Sequence, residues 1–282
     1  MGAAGMTTLK DKVAVVTGAS RGVGRGAALA LAAEGATVYI TGRSLHAPLG
    51  NWPGTLTQTA DEITAAGGRC VPLVVDHRDD AQVAVAFERI IAEQGRIDIL
   101  VNSAWGGYDS MSENGEYTWP KPFWEQPLWR WDVMVNTALR GAYVASQYAA
   151  RTMVAQRSGL IVNISFWAAQ KYMGNVVYGI AKAGADRMSA DMAHELRDHN
   201  VAAVSFYPGL VRTEGVMENA QWFDMSNSES PEFTGRAIAS LANDPNLMAK
   251  SGQVVIGAAL ALEYGFTDID GKQPRPLTLE EA

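Results

Sequence analysis

The sequence predicts a doubly wound α/β fold: one domain over residues 1–282, with a seven-stranded parallel sheet and helices on both faces. Three observations carry this. Short β-branched apolar runs alternate with alanine-rich or amphipathic stretches along the whole chain, the pattern of βα units rather than of an all-β or bundle protein. The first apolar run passes through a glycine-rich turn into a helix-like stretch, the order of a dinucleotide-binding unit. No repeat at solenoid spacing, low-complexity tract or linker divides the chain.

In chain order, Val13 to Thr17 is the first predicted strand, and Arg25 to Glu34 a helix closed by Gly35. Thr37 to Thr41 is the second strand, followed by a loop containing Pro48, Gly50 and Pro53, and a helix from about Thr57 to Ala66 stopped by Gly67-Gly68. Cys70 to Val75 is the third strand, then a helix from about Asp80 to Gln94 ending at Gly95. Ile99 to Asn102, Leu160 to Ser165, Val201 to Tyr207 and Gln253 to Ile256 complete the sheet. The acidic, proline-bearing tail after Gly265 is expected to drape over the surface.

Composition narrows the function. With 48% hydrophobic and 19% charged residues the chain can bury a large core. The net charge of −7 argues against nucleic acid as a partner. Cys70 is the single cysteine, so there is no intrachain disulfide and no four-cysteine zinc site. His46, His77, His194 and His199 lack metal-ligand spacing, and no metal is predicted. No apolar run is long enough to predict a transmembrane segment. The opening M-G-A-A-G-M lacks a basic stretch and signal core, and Met6 breaks the myristoylation pattern. A reduced cytoplasmic protein is expected.

The turn after the first strand reads T-G-A-S-R-G-V-G. Glycines there permit a tight turn and let the backbone approach a pyrophosphate, which the helix N-terminus stabilises. Gly18, Ser20, Arg21, Gly22, Val23 and Gly24 are therefore candidate cofactor-binding residues of a Rossmann domain. The second strand ends in Thr41-Gly42-Arg43-Ser44, without the acid that usually holds the ribose hydroxyls of NAD. Arg43 and Ser44, with Arg21 approaching from the glycine loop, suit a 2′-phosphate. NADP(H) is accordingly preferred over NAD(H).

The stretch N-I-S-F-W-A-A-Q-K-Y-M-G-N-V-V-Y-G-I-A-K, Asn163 to Lys182, carries the chemistry. Tyr178 and Lys182 share one helix face, being little more than a turn apart. A fixed ammonium stabilises a phenolate and lowers the phenol's pKa, so the pair suits proton exchange with an alcohol or carbonyl. Ser165, at the carboxyl end of a buried strand, can hydrogen-bond the same substrate oxygen.

Together these motifs resemble the short-chain dehydrogenase/reductase family from about Lys12 to Gly265; V-Y-I-T-G-R, R-G-A-Y, Y-G-I-A-K and Y-G-F-T-D-I-D-G add to the likeness. The resemblance implies that Tyr178 is the general acid in reduction and general base in oxidation. By the same resemblance Lys182 holds the nicotinamide ribose, Ser165 orients the substrate oxygen, and Asn136 anchors a water linking Lys182 to solvent. Asp76 would accept from the adenine amino group, with the His77 backbone nearby. Asn102 and Ala104 match the family N-N-A-G turn, and Pro208, Gly209, Val211 and Thr213 the segment that contacts the nicotinamide amide. The N-N-A-G turn reads Asn102-Ser103-Ala104-Trp105 here, placing bulk where a glycine usually leaves space. Family members usually form homodimers or homotetramers through the two long helices flanking the site.

Between Asn102 and Asn136 the chain is dense in aromatics: Trp105, Tyr108, Tyr117, Trp119, Phe123, Trp124, Trp129 and Trp131. Loops over about 105–130 and 210–233 are expected to wall a bulky apolar substrate, or to pin themselves by their rings, with Trp129 and Trp131 in the core of the next helix. The expected function is NADPH-dependent reduction of a ketone or aldehyde, reversible toward the alcohol. The alternatives are a catalytically silent NADP-binding regulator and an NAD-linked alcohol dehydrogenase.

Overall fold

A computed structural model describes residues 9–49, 52–108, 111–113 and 116–282. The N-terminal M-G-A-A-G-M reading, Gly50 and part of the aromatic loop lie outside the described residues.

Seven parallel strands form one sheet: β1 Val13–Thr17, β2 Thr37–Gly42, β3 Arg69–Val74, β4 Ile99–Asn102, β5 Gly159–Ile164, β6 Val201–Tyr207 and β7 Val254–Ile256. Their spatial order is β3-β2-β1-β4-β5-β6-β7. The order reverses between β1 and β4, which pair through Val15 and Leu100. A crevice outside the carboxyl ends of the strands at that reversal is where such sheets bind ligands.

Side chains alternate across a strand, so β1 feeds two cores. Ala14 and Val16 join Leu31, Leu56, Ile63 and Ile238 on one face, under helices α1 (Gly22–Ala33), α2 (Leu56–Ala65) and α6 (Pro231–Ala242). Val13 and Val15 join Val83, Phe87, Ala145 and Ala193 on the other, under α3 (Asp80–Gln94), α4 (Gly141–Gln156) and α5 (Val176–Leu196). Every residue of β1 and β6 is buried, as expected of strands covered on both faces. A last helix, α7, spans Gly257–Tyr264.

Local chemistry sets the helix ends. Asp79 caps α3 by accepting from Ala81 N at 3.0 Å, and Gly95, at φ +67°, closes it. Asn175 caps α5 by accepting from Tyr178 N at 3.1 Å. That bond fixes the turn from which the Tyr178 side chain projects.

Three expectations need correction. Helix α1 begins at Gly22, not Arg25, because its first turn is made of the glycine loop itself; poor helix propensity yields there to close packing. Trp131 is exposed rather than part of a helix core. The core position nearby belongs to Arg130, fully buried, which donates to the Thr118 carbonyl at 2.9 Å and the Thr118 hydroxyl at 2.5 Å. Ahead of α4, the chain winds as a π-helix over Asp132–Arg140, a local widening no periodicity announces. The tail does not simply drape: Asp268 is buried, accepts from Ser230 N at 2.8 Å and pairs with Arg212 at 3.0 Å. Beyond it, Arg275 N donates to Asn227 at 2.8 Å, and Lys171 Nζ donates to the Ala282 carbonyl.

Candidate active site

The glycine loop lies at the carboxyl end of β1. Gly18 sits at φ +68°, and a Cβ there would come within 2.5 Å of Ala104 Cα, so no larger residue fits where the β1 and β4 turns meet. Thr17 Oγ1 accepts from Ser103 N and Ala104 N at 3.1 and 3.2 Å, tying the N-S-A-W turn to the loop. Asn102 donates to Ser146 at 2.9 Å and to Asn163 at 2.8 Å. Its buried Oδ1 has no partner among the described residues.

The first turn of α1 takes an anion. Gly22 N donates to the Glu214 carboxylate, at 3.1 Å to Oε2 and 3.4 Å to Oε1. Glu214 follows Thr213, whose hydroxyl accepts from Val216 N at 3.4 Å and opens the short helix Glu214–Glu218. This helix is held by Trp52, whose indole donates to Glu218. A negatively charged side chain thus rests on the amide at which the helix dipole favours negative charge. Together with the space at Gly24, where a Cβ would strike the Gly18 carbonyl at 2.4 Å, this cradle fits the pyrophosphate of a dinucleotide.

At the end of β2, Arg43 is exposed and Ser44 buried, with Ser44 Oγ accepting from Leu49 N at 3.1 Å. Arg21 reaches the Trp52 carbonyl at 3.2 Å and lies 6.0 Å from the Trp52 ring centroid. After β3, Asp76 accepts from Arg78 Nη2 at 2.6 Å, and that hydrogen bond pulls its carboxyl down to about 2. His77 is buried with Nε2 2.8 Å from Thr41 Oγ1, and burial lowers its pKa to about 4, so it is neutral.

Across the cleft, Tyr178 projects from the first turn of α5 and is 5% exposed. Three rings surround it: Trp105, Tyr108 and Trp119, with centroids 5.7, 6.0 and 5.5 Å away. The Tyr108 hydroxyl donates to the Tyr178 hydroxyl at 2.9 Å. Lys182, one turn on, donates to the Ile164 carbonyl at 3.2 Å, with its ammonium 4.2 Å from the Trp105 ring centroid. Trp105, the departure from the glycine of the N-N-A-G turn, therefore offers the buried cation a π face. Burial lowers the Lys182 pKa to about 8, against the pull of Asp186. Burial raises Tyr178 well above 10, followed by Tyr108 and Tyr207. The expected lowering of the phenol by Lys182 is not what this geometry gives: desolvation outweighs the nearby amine.

Ser165 lies one residue beyond β5, is 1% exposed, and donates to the Lys182 carbonyl at 3.1 Å. Asn136 lies within the π-helical segment, where it donates to Asp132 at 2.8 Å. Pro208 and Gly209 follow β6. Val211 bridges to Glu229, and Thr213 Cγ2 lies where it would meet a Cβ on Gly22 at 3.3 Å. The structure thus joins Ser165 to Lys182, one turn from Tyr178, and gathers the glycine loop, Ala104 and Thr213, while Trp105, next to Ala104, links the two groups by packing on Tyr178 and Lys182. The Asn136 amide is turned to Asp132.

Sequence reasoning passed over Glu214 and Glu229, and gave Tyr108 and Trp119 only as members of an aromatic wall, not as neighbours of Tyr178. The acid directly after Thr213 was a legible sign for the first. The others act through contacts that no local pattern encodes.

The 105–130 loop covers Tyr178 with Trp105, Tyr108 and Trp119, while Phe123 and Trp124 are 64% and 71% exposed. Among the described residues no three His, Cys, Asp or Glu side chains group as metal ligands. Among them, too, no helix is long and apolar enough to cross a membrane.

A family profile described as short chain dehydrogenase matches residues 12–224. The chain is 46% identical over 278 residues to mouse dehydrogenase/reductase SDR family member 1, covering 94% of this chain and 85% of that protein. The human protein of that name is 43% identical over the same shares. Among solved structures, a short chain dehydrogenase from Mycobacterium thermoresistibile superposes with a TM-score of 0.79 at 31% identity, over 96% of this chain and 93% of the other. A metagenomic short-chain oxidoreductase in complex with NADP gives 0.70 at 27% identity, over 88% and 97%. Family profile, relatives and fold together place this chain in the short-chain dehydrogenase/reductase family of nicotinamide-dependent oxidoreductases.

Proposed function

We propose that the chain is an NADPH-dependent reductase of a ketone or aldehyde borne on a bulky apolar substrate. The observation that carries this reading is the Tyr178 phenol, set one helical turn before Lys182 and enclosed by Trp105, Tyr108 and Trp119 beside the glycine cleft.

In this reading Gly18, Ser20, Arg21, Gly22, Val23 and Gly24 cradle the pyrophosphate. Asp76 and the His77 backbone border the adenine, and Asn102, Ala104, Pro208, Gly209, Val211 and Thr213 flank the nicotinamide half. Arg43, Ser44 and Arg21 select the 2′-phosphate, with no acid at the end of β2 to repel it. The bound dinucleotide supplies the hydride. Tyr178, which burial keeps protonated at neutral pH, delivers its proton to the substrate oxygen as that oxygen gains charge. Lys182, largely protonated below its pKa of about 8, places a cation beneath the phenol and stabilises the phenolate left behind. Ser165 turns its hydroxyl from the Lys182 carbonyl to the substrate oxygen, and Asn136 serves the solvent side of Lys182. The aromatic wall excludes water and takes apolar substrate surface.

The test follows absorbance at the reduced-nicotinamide band with NADPH or NADH against a panel of aromatic, steroidal and long-chain ketones and aldehydes. NADPH consumption well above that of NADH supports the reading. NADPH binding without turnover across the panel overturns it in favour of a silent regulator, and an NADH preference in favour of an NAD-linked dehydrogenase.

A further inference from the structure

A carboxyl group that the reaction does not use lies beneath the loop following β6. Glu229 is 0% exposed, and it grips Pro208–Thr213 through both backbone and side chain. Its N–H donates to the Leu210 carbonyl at 2.9 Å, and its carbonyl accepts from Arg212 N at 2.8 Å. Oε1 accepts from Thr234 Oγ1, on α6, at 3.0 Å. Oε2 is directed at Gly209, so close that a Cβ there would meet it at 2.8 Å. Among the described residues Oε2 has no hydrogen-bond partner.

The charged groups facing this carboxyl are Arg212, from the loop itself, and Asp268, from the tail. They are engaged with each other at 3.0 Å, and Arg212 also reaches Asp270 at 3.3 Å. The Arg212 guanidinium is therefore committed to Asp268 and Asp270 rather than to Glu229. A dry carboxylate with an unpartnered oxygen is costly, and the group takes up a proton instead. Desolvation, with the Asp268 charge adding to it, raises its pKa to about 7, against the Thr234 hydrogen bond, the nearby Gly209 amide and the Arg212 charge.

We propose that Glu229 is a positioning residue: as an uncharged acid it props the Pro208–Thr213 loop in its cofactor-facing conformation, and its ionisation loosens that loop. This rests on reading the loop as the nicotinamide-side segment. The sign follows from linkage. The folded chain holds the proton more tightly than the unfolded one, so the stabilisation is complete below the ordinary glutamate pKa. It is lost as pH rises toward and through about 7. Dinucleotide affinity falls over the neutral end of the same window.

The test uses the full chain, Glu229→Gln and Glu229→Ala, with NADPH as probe. Melting temperature and the NADPH dissociation constant, read by nucleotide fluorescence, are measured from pH 6 to 8.5. In the unsubstituted chain NADPH binding weakens about five-fold over that range and the melting temperature falls. Glu229→Gln, uncharged at every pH, binds NADPH within about two-fold of the unsubstituted chain at pH 6 and shows neither slope up to about pH 7.5, below the titration of Lys182 near 8. Glu229→Ala weakens binding by about ten-fold throughout; should it not fold, Glu229→Gln alone decides. Retention of both slopes in Glu229→Gln overturns the proposal, as does unchanged binding in Glu229→Ala. A chain that binds no NADPH, yet loses its melting slope on Glu229→Gln, sinks the cofactor reading of the loop and leaves Glu229 a purely structural acid.

Discussion

The Tyr108 hydroxyl donates to the Tyr178 hydroxyl at 2.9 Å, and the two rings meet edge to face with centroids 6.0 Å apart. Tyr108 is 42% exposed, yet its polar end is turned inward onto the buried phenol. The position a carbonyl oxygen needs is thus bordered by a second phenol from the aromatic loop.

Replacing Tyr108 with Phe removes a competitor for the Tyr178 hydroxyl while keeping the ring. One hydrogen bond of about 1 kcal/mol corresponds to roughly five-fold in affinity. Tyr108→Phe is therefore expected to lower KM for a carbonyl substrate about five-fold and to leave the NADPH dissociation constant unchanged. Steady-state kinetics with any ketone from the panel checks this; a raised KM would make Tyr108 a substrate ligand instead.

Glu214 places a carboxylate on the Gly22 amide, where a phosphate oxygen would accept. In the proposed complex the dinucleotide displaces it. Glu214→Gln, which weakens a charge-assisted hydrogen bond and removes a negative charge, is expected to tighten NADPH binding three- to ten-fold, or about 1 kcal/mol. Fluorescence titration measures this directly, and weaker binding would show that the side chain assists the cofactor.

Arg43 stands exposed at the end of β2 beside a buried Ser44, in a strand end, Thr41–Ser44, that holds no acid of its own. Arg43→Ala is expected to raise the NADPH dissociation constant about ten-fold and to change that for NADH less than two-fold. Equal losses for the two nucleotides would remove the argument for 2′-phosphate selection.

Much of this was legible in the sequence because its causes are local. Asp79 and Gly95 bound α3 where a cap and a left-handed glycine belong, and β4 and β6 run between the predicted ends, Ile99–Asn102 and Val201–Tyr207. The one-turn spacing of Tyr178 and Lys182 put both on one face of α5. What escaped depends on distant partners. Glu214 meets Gly22 across 192 residues, and Tyr108 meets Tyr178 across 70. The exposure of Trp131 ran against hydrophobicity because the buried place nearby is filled by Arg130, whose guanidinium finds Thr118. The perturbed acid Glu229 carries no sequence mark, since its pKa comes from the tail and the β6 loop closing around it.

The central claim is that Tyr178 gives the proton. Tyr178→Phe keeps the ring within the cage of Trp105, Tyr108 and Trp119 and removes the one atom the chemistry needs. Single-turnover reduction, with NADPH and a panel ketone mixed against saturating enzyme, tests the claim most directly. The account predicts a rate at least about a hundred-fold below that of the unsubstituted chain with NADPH affinity unchanged, the scale of a lost general acid. A Tyr178→Phe chain that reduces the ketone at the unsubstituted rate would contradict it.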